Sequence, residues 1–283
     1  MNYRHVYHAG SFADVVKHAA LARILVHLAA KPQAFRVVDT HAGSGRYDLC
    51  GPEASRTGEW RAGIERLTAA TLPADAAHLL EPYLAAVKAL NDGGALRLYP
   101  GSPLVARALM RPQDRLIACE LEPVAAKALT HALKGDPRLK AVAIDGWTSL
   151  KAYVPPKERR GVVIVDPPFE QSDDFIRLAE GLSQAHRKWP TGIYVLWYPI
   201  KDRGGPDALA RRLRRSGIAK VLRAELLVAS DNNPDRLNGS GLIIVNPPWT
   251  LDGELNVMLP ALAVVLSPAG QGRARIDWLA PES

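Results

Sequence analysis

Cysteine is almost missing from this chain of 283 residues. Cys50 and Cys119 are too few and too far apart for a disulfide framework or a four-cysteine zinc site, which suits a reducing compartment. No apolar run reaches membrane-spanning length, and Met1-Asn2-Tyr3-Arg4-His5 lacks the charged-then-apolar order of a signal peptide. These absences lead us to expect a bacterial-style cytoplasmic protein with no membrane partner. Acid is scarce relative to base, with 29 Asp and Glu against 36 Lys and Arg and a net charge of +7, which favours an anionic partner such as nucleic acid. With 47% hydrophobic and 23% charged residues, the rest is ordinary globular composition. Disordered and fibrous classes are excluded, and the length suits one large domain or a domain with an insertion.

The most informative stretch is Asp166-Pro167-Pro168-Phe169, which follows the apolar run Gly161 to Val165. Such a run reads as a buried parallel strand, so the four residues emerge at a strand's carboxyl end, where α/β proteins place their chemistry. Two prolines fix φ and remove two N–H donors, leaving carbonyls and the Asp166 carboxylate as acceptors beside a flat ring. A planar amine suits that shelf: an exocyclic NH2 donates to Asp166 and a proline carbonyl while Phe169 stacks on its ring. On these four letters alone, a plain strand-to-loop turn fits equally.

Taken in order, the chain surrounds this shelf with nucleotide-binding signals. Ser11 and Asp14 form a plausible capping box for a helix over about 12–30, whose apolar positions recur at steps of three and four and predict one face packed on a sheet. Lys17 and His18 lie in its second turn, and nothing local supplies His18 with a partner. Phe35 to Asp39 reads as a strand ending in an acid, followed by a loop in which Gly43 and Gly45 permit positive φ and close backbone approach. Asp48 breaks the dinucleotide fingerprint G-x-G-x-x-G, whereas D-x-x-x-G-x-G suits S-adenosylmethionine. Residues 50–98 read as short helices broken by Pro73, Pro82 and Gly93-Gly94, an inserted helical subdomain between parts of a main domain spanning 1–49 and 99–283. Leu116 to Glu120 is the delayed second strand, and Glu120 is the candidate acceptor for two ribose hydroxyls. Asp145 follows a third strand and is a candidate for the adenine amino group. With strands at 161–165 and 192–199 and two final runs, 221–228 and 242–245, the pattern predicts an α/β, Rossmann-like class I methyltransferase fold with a mostly parallel seven-stranded sheet.

Asn246-Pro247-Pro248-Trp249 competes with the shelf, since N-P-P-aromatic suits the same chemistry. If the last two runs pair as a hairpin, Asn246 faces the edge opposite the crevice, which makes this stretch structural, with Trp249 expected to close the core. Between 201 and 223, Arg211, Arg212, Arg214 and Arg215 crowd one short helix. We expect them to contact phosphate, together with Arg4, Arg46 and Lys17 near the cleft mouth.

In sequence order R-H-x-x-H-A-G-x-x-A-D-V-x-K-H (Arg4 to His18), D-T-H-A-G-x-G-R-Y (Asp39 to Tyr47), Y-P-G-S-P (Tyr99 to Pro103), D-G (Asp145-Gly146), D-P-P (Asp166 to Pro168), L-W-Y-P (Leu196 to Pro199) and N-P-P-W span the chain. Together they resemble the ribosomal large subunit methyltransferase J family. The resemblance implies methyl transfer from S-adenosylmethionine to N6 of one adenine, the adenine-2030 type, in 23S ribosomal RNA. By matched position His18, His41, Ser102, Glu120, Asp145, Gly146 and Asp166 would contact the cofactor, beside Gly43 and Gly45 expected from the loop pattern. Asp166 would also be the catalytic acceptor, with Pro167 and Phe169 beside it, and Tyr3 would touch the substrate adenosine. The family usually has tyrosine where this chain has Phe169; stacking survives that change and a hydroxyl contact does not. No metal is expected, the protein is expected to act as a monomer, and an exposed adenine in free or partly assembled RNA is the expected target. A DNA adenine or protein glutamine methyltransferase would use the same shelf, and a non-catalytic RNA-binding protein could keep the fold. Intact Gly43, Gly45, Glu120 and Asp166 argue against the last.

Overall fold

The computed structural model describes residues 4–231, 233–267 and 272–281. After α1 (Phe12–Ala29) come β1 (Arg36–Asp39), β2 (Arg46–Asp48) and α2 (Pro52–Thr57). A π-turn at Arg61–Glu65 leads into α3 (Arg66–Ala69), α4 (Ala74–Lys88), β3 (Leu98–Pro100) and α5 (Ser102–Leu109). Strand and helix then alternate through β4 (Arg115–Glu120), α6 (Pro123–Ala132), β5 (Leu139–Ala143), α7 (Gly146–Ala152), β6 (Gly161–Val165), α8 (Asp174–Lys188), β7 (Ile193–Ile200) and α9 (Gly204–Arg214). The chain closes with β8 (Val221–Leu227), β9 (Gly239–Val245), α10 (Leu251–Leu266) and β10 (Arg273–Ala280).

The main sheet has eight strands in the order β10-β8-β9-β7-β6-β1-β4-β5. From β7 to β5 every pairing is parallel, which is the doubly wound, Rossmann-like arrangement expected. The strand beyond the expected seven is β10, which lies antiparallel on β8. It alternates charged and apolar residues and sits at an edge, so it lacks the continuous apolar run that marks the central strands. Arg223 on β8 locks it there through a two-pronged pair with Asp277, both contacts 2.8 Å.

β6 is buried along its whole length, as an uninterrupted Gly-Val-Val-Ile-Val run between two parallel neighbours must be. Its first residue is glycine for a steric reason: a Cβ at Gly161 would lie 1.9 Å from the Arg36 carbonyl of β1. β9 runs antiparallel to β7, so Asn246 leaves from the edge opposite the crevice, as its position in a final hairpin predicts. Its side-chain amide donates to the carbonyls of Pro190 and Gly192, both at 2.8 Å. Trp249, however, does not close the core; it is 87% exposed.

Three other expectations are corrected. α1 is buried almost all round, packed by α4, α5 and α10 as well as the sheet, so it is not a helix with one covered face. Its capping box does not form: the Asp14 carboxylate accepts from Gly10 N, and Ser11 makes no side-chain cap. Pro82 lies inside α4 instead of breaking it. The glycine loop runs into β2, which pairs antiparallel with β3.

Candidate active site

The crevice opens at the carboxyl ends of β1, β4 and β6. Chain order reverses at β1, which pairs with β4 on one side and β6 on the other, and such a switch point leaves a gap between the loops. Two cavities meet there. The smaller, about 140 Å³, is lined by His18, residues 41–44, Ser102, Glu120 and Glu122. The larger, about 770 Å³, is lined on its aromatic side by Phe12, Phe169 and Trp197. His5, Lys17, Asp166 and Pro168 line both, so the shelf forms the wall between them.

In the smaller cavity the glycine loop is built around Glu120. One carboxylate oxygen accepts from Gly43 N at 2.8 Å and the other from Glu122 N at 2.9 Å, which fixes the group with lone pairs to spare. Gly43 has φ +60, and a Cβ there would meet the Tyr47 hydroxyl at 2.1 Å. Gly45 does not line the cavity; its carbonyl accepts from Gly101 N at 2.8 Å and ties the loop to the start of α5. There Ser102 donates to Asp39 at 2.6 Å.

His18 Nε2, on a side chain that lines the cavity, is buried with no partner among the described residues; Asp39 Oδ1 is another such atom, on a side chain that does not line it. Orphaned groups of this kind are rare in folded proteins, and a ligand with a carboxylate end would satisfy that of His18. His18 is held through Nδ1, 2.8 Å from the Tyr99 hydroxyl, which in turn lies 2.9 Å from that of Tyr83. Thr40 donates its hydroxyl hydrogen to the Ile164 carbonyl, so His41 Nδ1, 2.8 Å away, must be the donor to Thr40 Oγ1. Gly146 packs beneath that imidazole and does not reach the cavity; a Cβ on it would lie 2.3 Å from Nε2. Asp145 does not line the cavity either. It caps α7, accepting from Thr148 N at 2.8 Å.

Burial lowers the pKa of His18 to about 3 and that of His41 to about 4, so both are neutral near pH 7. Burial also lifts Asp39 to about 6, against the Ser102 hydrogen bond. A histidine that binds its proton less readily folded than unfolded contributes stability that is lost as pH falls below about 6.5. Asp39 acts oppositely between its unfolded value and about 6, and so does His8, raised by its bond to Glu59. With His18 fully buried and His41 half-buried against these, we expect net stability to fall on the order of 1 kcal/mol per pH unit between pH 6 and 5. Urea midpoints at pH 7.5, 6 and 5 would show it; a midpoint constant or rising toward pH 5 would contradict the buried neutral imidazoles.

At the shelf, Asp166 Oδ2 accepts from the Lys17 ammonium, which also pairs with Asp14 at 2.9 Å. Asp14 in turn meets His5 Nε2 at 3.0 Å. Lys17 was expected at the cleft mouth facing phosphate; the structure instead buries it, 4% exposed, between two carboxylates. Burial opposes its charge, yet Asp14 and Asp166 outweigh that and hold the pKa well above the usual lysine value. Pro167 is buried, and its carbonyl accepts no hydrogen bond from a described residue. Phe169 meets Phe175 and Trp197 edge-on, at ring separations of 4.9 and 5.7 Å. Its φ of +51 places an aromatic residue in the left-handed region, a strained backbone of the kind that gathers at functional sites.

Of the expected phosphate contacts, Arg4 lines the smaller cavity and pairs with Glu53 at 3.6 Å, and Arg46 is exposed on β2. Arg211, Arg212, Arg214 and Arg215 are not brought to the site, because α9 leaves the crevice edge and ends at the opposite one. Tyr3 lies outside the described residues. Sequence reasoning missed Asp14, His5, Asp39 and Trp197; the usable signal was Asp14 and Lys17 three apart in a helix otherwise too apolar to leave either in water.

The family model described as "Ribosomal RNA large subunit methyltransferase D, RlmJ" matches residues 32–280. The chain belongs to that family. Two relatives, each called ribosomal RNA large subunit methyltransferase J, are 42% identical in Escherichia coli K12 and 39% in Haemophilus influenzae, and each match covers both chains completely. A crystal structure of a protein from Legionella pneumophila superposes with a TM-score of 0.87 at 33% identity, covering 96% of this chain and 98% of that one. Membership makes the chain an S-adenosylmethionine-dependent methyltransferase of ribosomal RNA, and its motifs from Asp39 to Trp249 fall within the matched residues.

Proposed function

We propose that the protein methylates N6 of one adenine, the adenine-2030 type, in 23S ribosomal RNA. The observation that carries this reading is the shelf itself: Asp166 and Pro168 separate a cavity with nucleoside-binding groups from one with an aromatic wall. His18, His41, Gly43, Ser102 and Glu120 would hold S-adenosylmethionine, which when bound supplies a methyl group on a positively charged sulfur. The orphaned Nε2 of His18 fits the carboxylate of its amino-acid end, and the pinned Glu120 fits vicinal hydroxyls.

The chain's own residues address a poor nucleophile. The adenine amino lone pair is conjugated with the ring, and accepting its two hydrogens at Asp166 and the Pro167 carbonyl turns that lone pair out of conjugation. Phe169 and Trp197 hold the base face. Correct positioning alone supplies roughly 7 to 11 kcal/mol when the reacting atoms are in near-attack geometry. The base must leave its stack to enter, at a cost of a few kcal/mol that unpaired RNA reduces, so an exposed adenine in free or partly assembled RNA is the favoured target.

Leu49 N donates to the Arg97 carbonyl at 2.8 Å, so the ends of segment 50–98 adjoin as an insertion's would, and its Glu59 and Ala62 help wall the larger cavity. Among the described residues no helix is long and apolar enough to cross a membrane; a ribosomal RNA substrate suits the cytoplasm.

To test the reading, purified protein and labelled S-adenosylmethionine would be offered 23S RNA transcript, duplex DNA and a glutamine-containing protein acceptor, with nucleosides identified by mass. We expect N6-methyladenosine in the RNA alone. Label confined to DNA or protein, or on another atom of the RNA, would refute the assignment.

A further inference from the structure

The four arginines that the fold carries away from the crevice mark a second surface. α8 and α9 both start at the catalytic edge of the sheet and end at the opposite one, since each is followed by a strand that runs back toward the crevice. The eleven residues of α9 put about 16 Å between its ends. Where the two helices finish, Arg187, Arg211, Arg212 and Arg215 line a groove of about 590 Å³ whose one acid is Glu180. None of the four has a carboxylate partner among the described residues, in contrast to Arg214, which lies 3.8 Å from Asp277.

An aromatic ring belongs to the same edge. Asn246 N donates to the Lys220 carbonyl and its side chain to those of Pro190 and Gly192, which fastens the start of Asn246-Pro247-Pro248-Trp249 to the turns after α8 and α9. Trp249 follows at the same edge of the sheet, 87% exposed, where the chain turns into α10. A bare ring and unpaired guanidiniums along one edge of the sheet are the two features that bind nucleic acid, charge for phosphate and ring for an unpaired base.

We propose that this edge is a second RNA-binding surface, which grips a part of the RNA distant from the methylated base. The proposal rests on the RNA reading above for the identity of the polyanion. It gives the second N-P-P-aromatic motif a role that is neither catalytic nor core: a rigid mount that presents Trp249. The crevice then reads the target adenine, and the far edge contributes affinity only for RNA large enough to reach around the protein.

The probe is an RNA duplex with a single-stranded overhang and no target adenine, bound to wild-type protein and to Arg211→Glu/Arg212→Glu/Arg215→Glu over a salt series. We expect the triple variant to bind at least about tenfold more weakly, with the salt slope reduced by about one per arginine. Trp249→Ala should weaken binding about fivefold or more, with the slope unchanged. In parallel, methylation of a short stem-loop carrying the target adenine should be unaltered in both variants, while KM for a long transcript rises at constant kcat. Equal duplex binding by the triple variant and wild type would overturn the proposal. So would a parallel fall in stem-loop methylation, which would place the arginines in the site or the fold, or a wild-type dimer by light scattering that the substitutions split, which would make the edge an interface between copies. A wild type that methylates no RNA, but whose duplex binding still depends on these residues, would refute the adenine reading and leave the surface standing.

Discussion

Asp166→Ala should lower kcat for methyl transfer by about 10²- to 10³-fold or more, the usual cost of removing one preorganised hydrogen-bonding group from a catalytic site. The fold should survive, because Lys17 keeps its 2.9 Å pair with Asp14 and Asp166 is itself only partly buried. Binding of S-adenosylhomocysteine should persist, since Glu120, Gly43 and His18 are untouched. Asp166→Asn is the sharper variant. An ammonium offers only donors, so Lys17 would take the amide oxygen and turn the NH2 toward the adenine amine, donor facing donor. An amide at this position should therefore be as defective as alanine, although its oxygen could serve in a site without the lysine. Single-turnover transfer of labelled methyl, with calorimetry of S-adenosylhomocysteine on the same samples, measures both. Near wild-type turnover in either variant would remove Asp166 from the mechanism.

How much of this was legible without coordinates differs by element. The shelf, the glycine loop and the acid at Glu120 were readable because strand ends and glycines leave local signatures: β6 is an unbroken apolar run, and Gly43 adopts the positive φ its loop requires. The direction of β9 followed from hairpin logic. What could not be read was which way a helix carries its charges. The α9 arginines are as basic in sequence as in space, but only the sheet order shows that they end at the edge opposite the chemistry. Trp249 failed for a related reason, since an aromatic residue after two prolines is equally consistent with core and surface until neighbouring strands are placed. Lys17 was misjudged because a charged residue in a helix is usually solvated, and nothing in the local sequence reveals that α1 is enclosed by α4, α5 and α10. The edge strand β10 and the inter-strand pair of Arg223 with Asp277 depend on partners more than fifty residues apart and leave no local trace.

Lys17→Met should be the most destabilising single change in the site. The ammonium sits between Asp14 and Asp166, and removing one member of a buried ion pair typically costs 3–5 kcal/mol because it strands a charge; for a chain of this size that is a fall in Tm on the order of 10 °C. Asp14 keeps His5 and Gly10 N, so the loss should stop short of global unfolding. The pH dependence identifies the cause. In the wild type, burial works against the Asp14 carboxylate, but His5, Lys17 and His18 together hold its pKa well below the usual value. Its stabilising contribution is therefore present above the unfolded carboxylate pKa and lost only in strong acid. Without Lys17 the burial effect is less opposed and the pKa rises, so proton uptake relieves the stranded charge and the stability gap to wild type should narrow as pH falls from 8 to 5. A structural defect from lost packing alone would leave the gap constant, because methionine fills nearly the same volume and does not titrate. Activity should fall with stability, since Asp166 loses the contact that fixes Oδ2, and it should fall in kcat more than in KM. Denaturant midpoints of both proteins at pH 8, 6.5 and 5, with turnover at each, decide the matter: a gap that does not change with pH would mean that Lys17 is not the charge that balances the shelf.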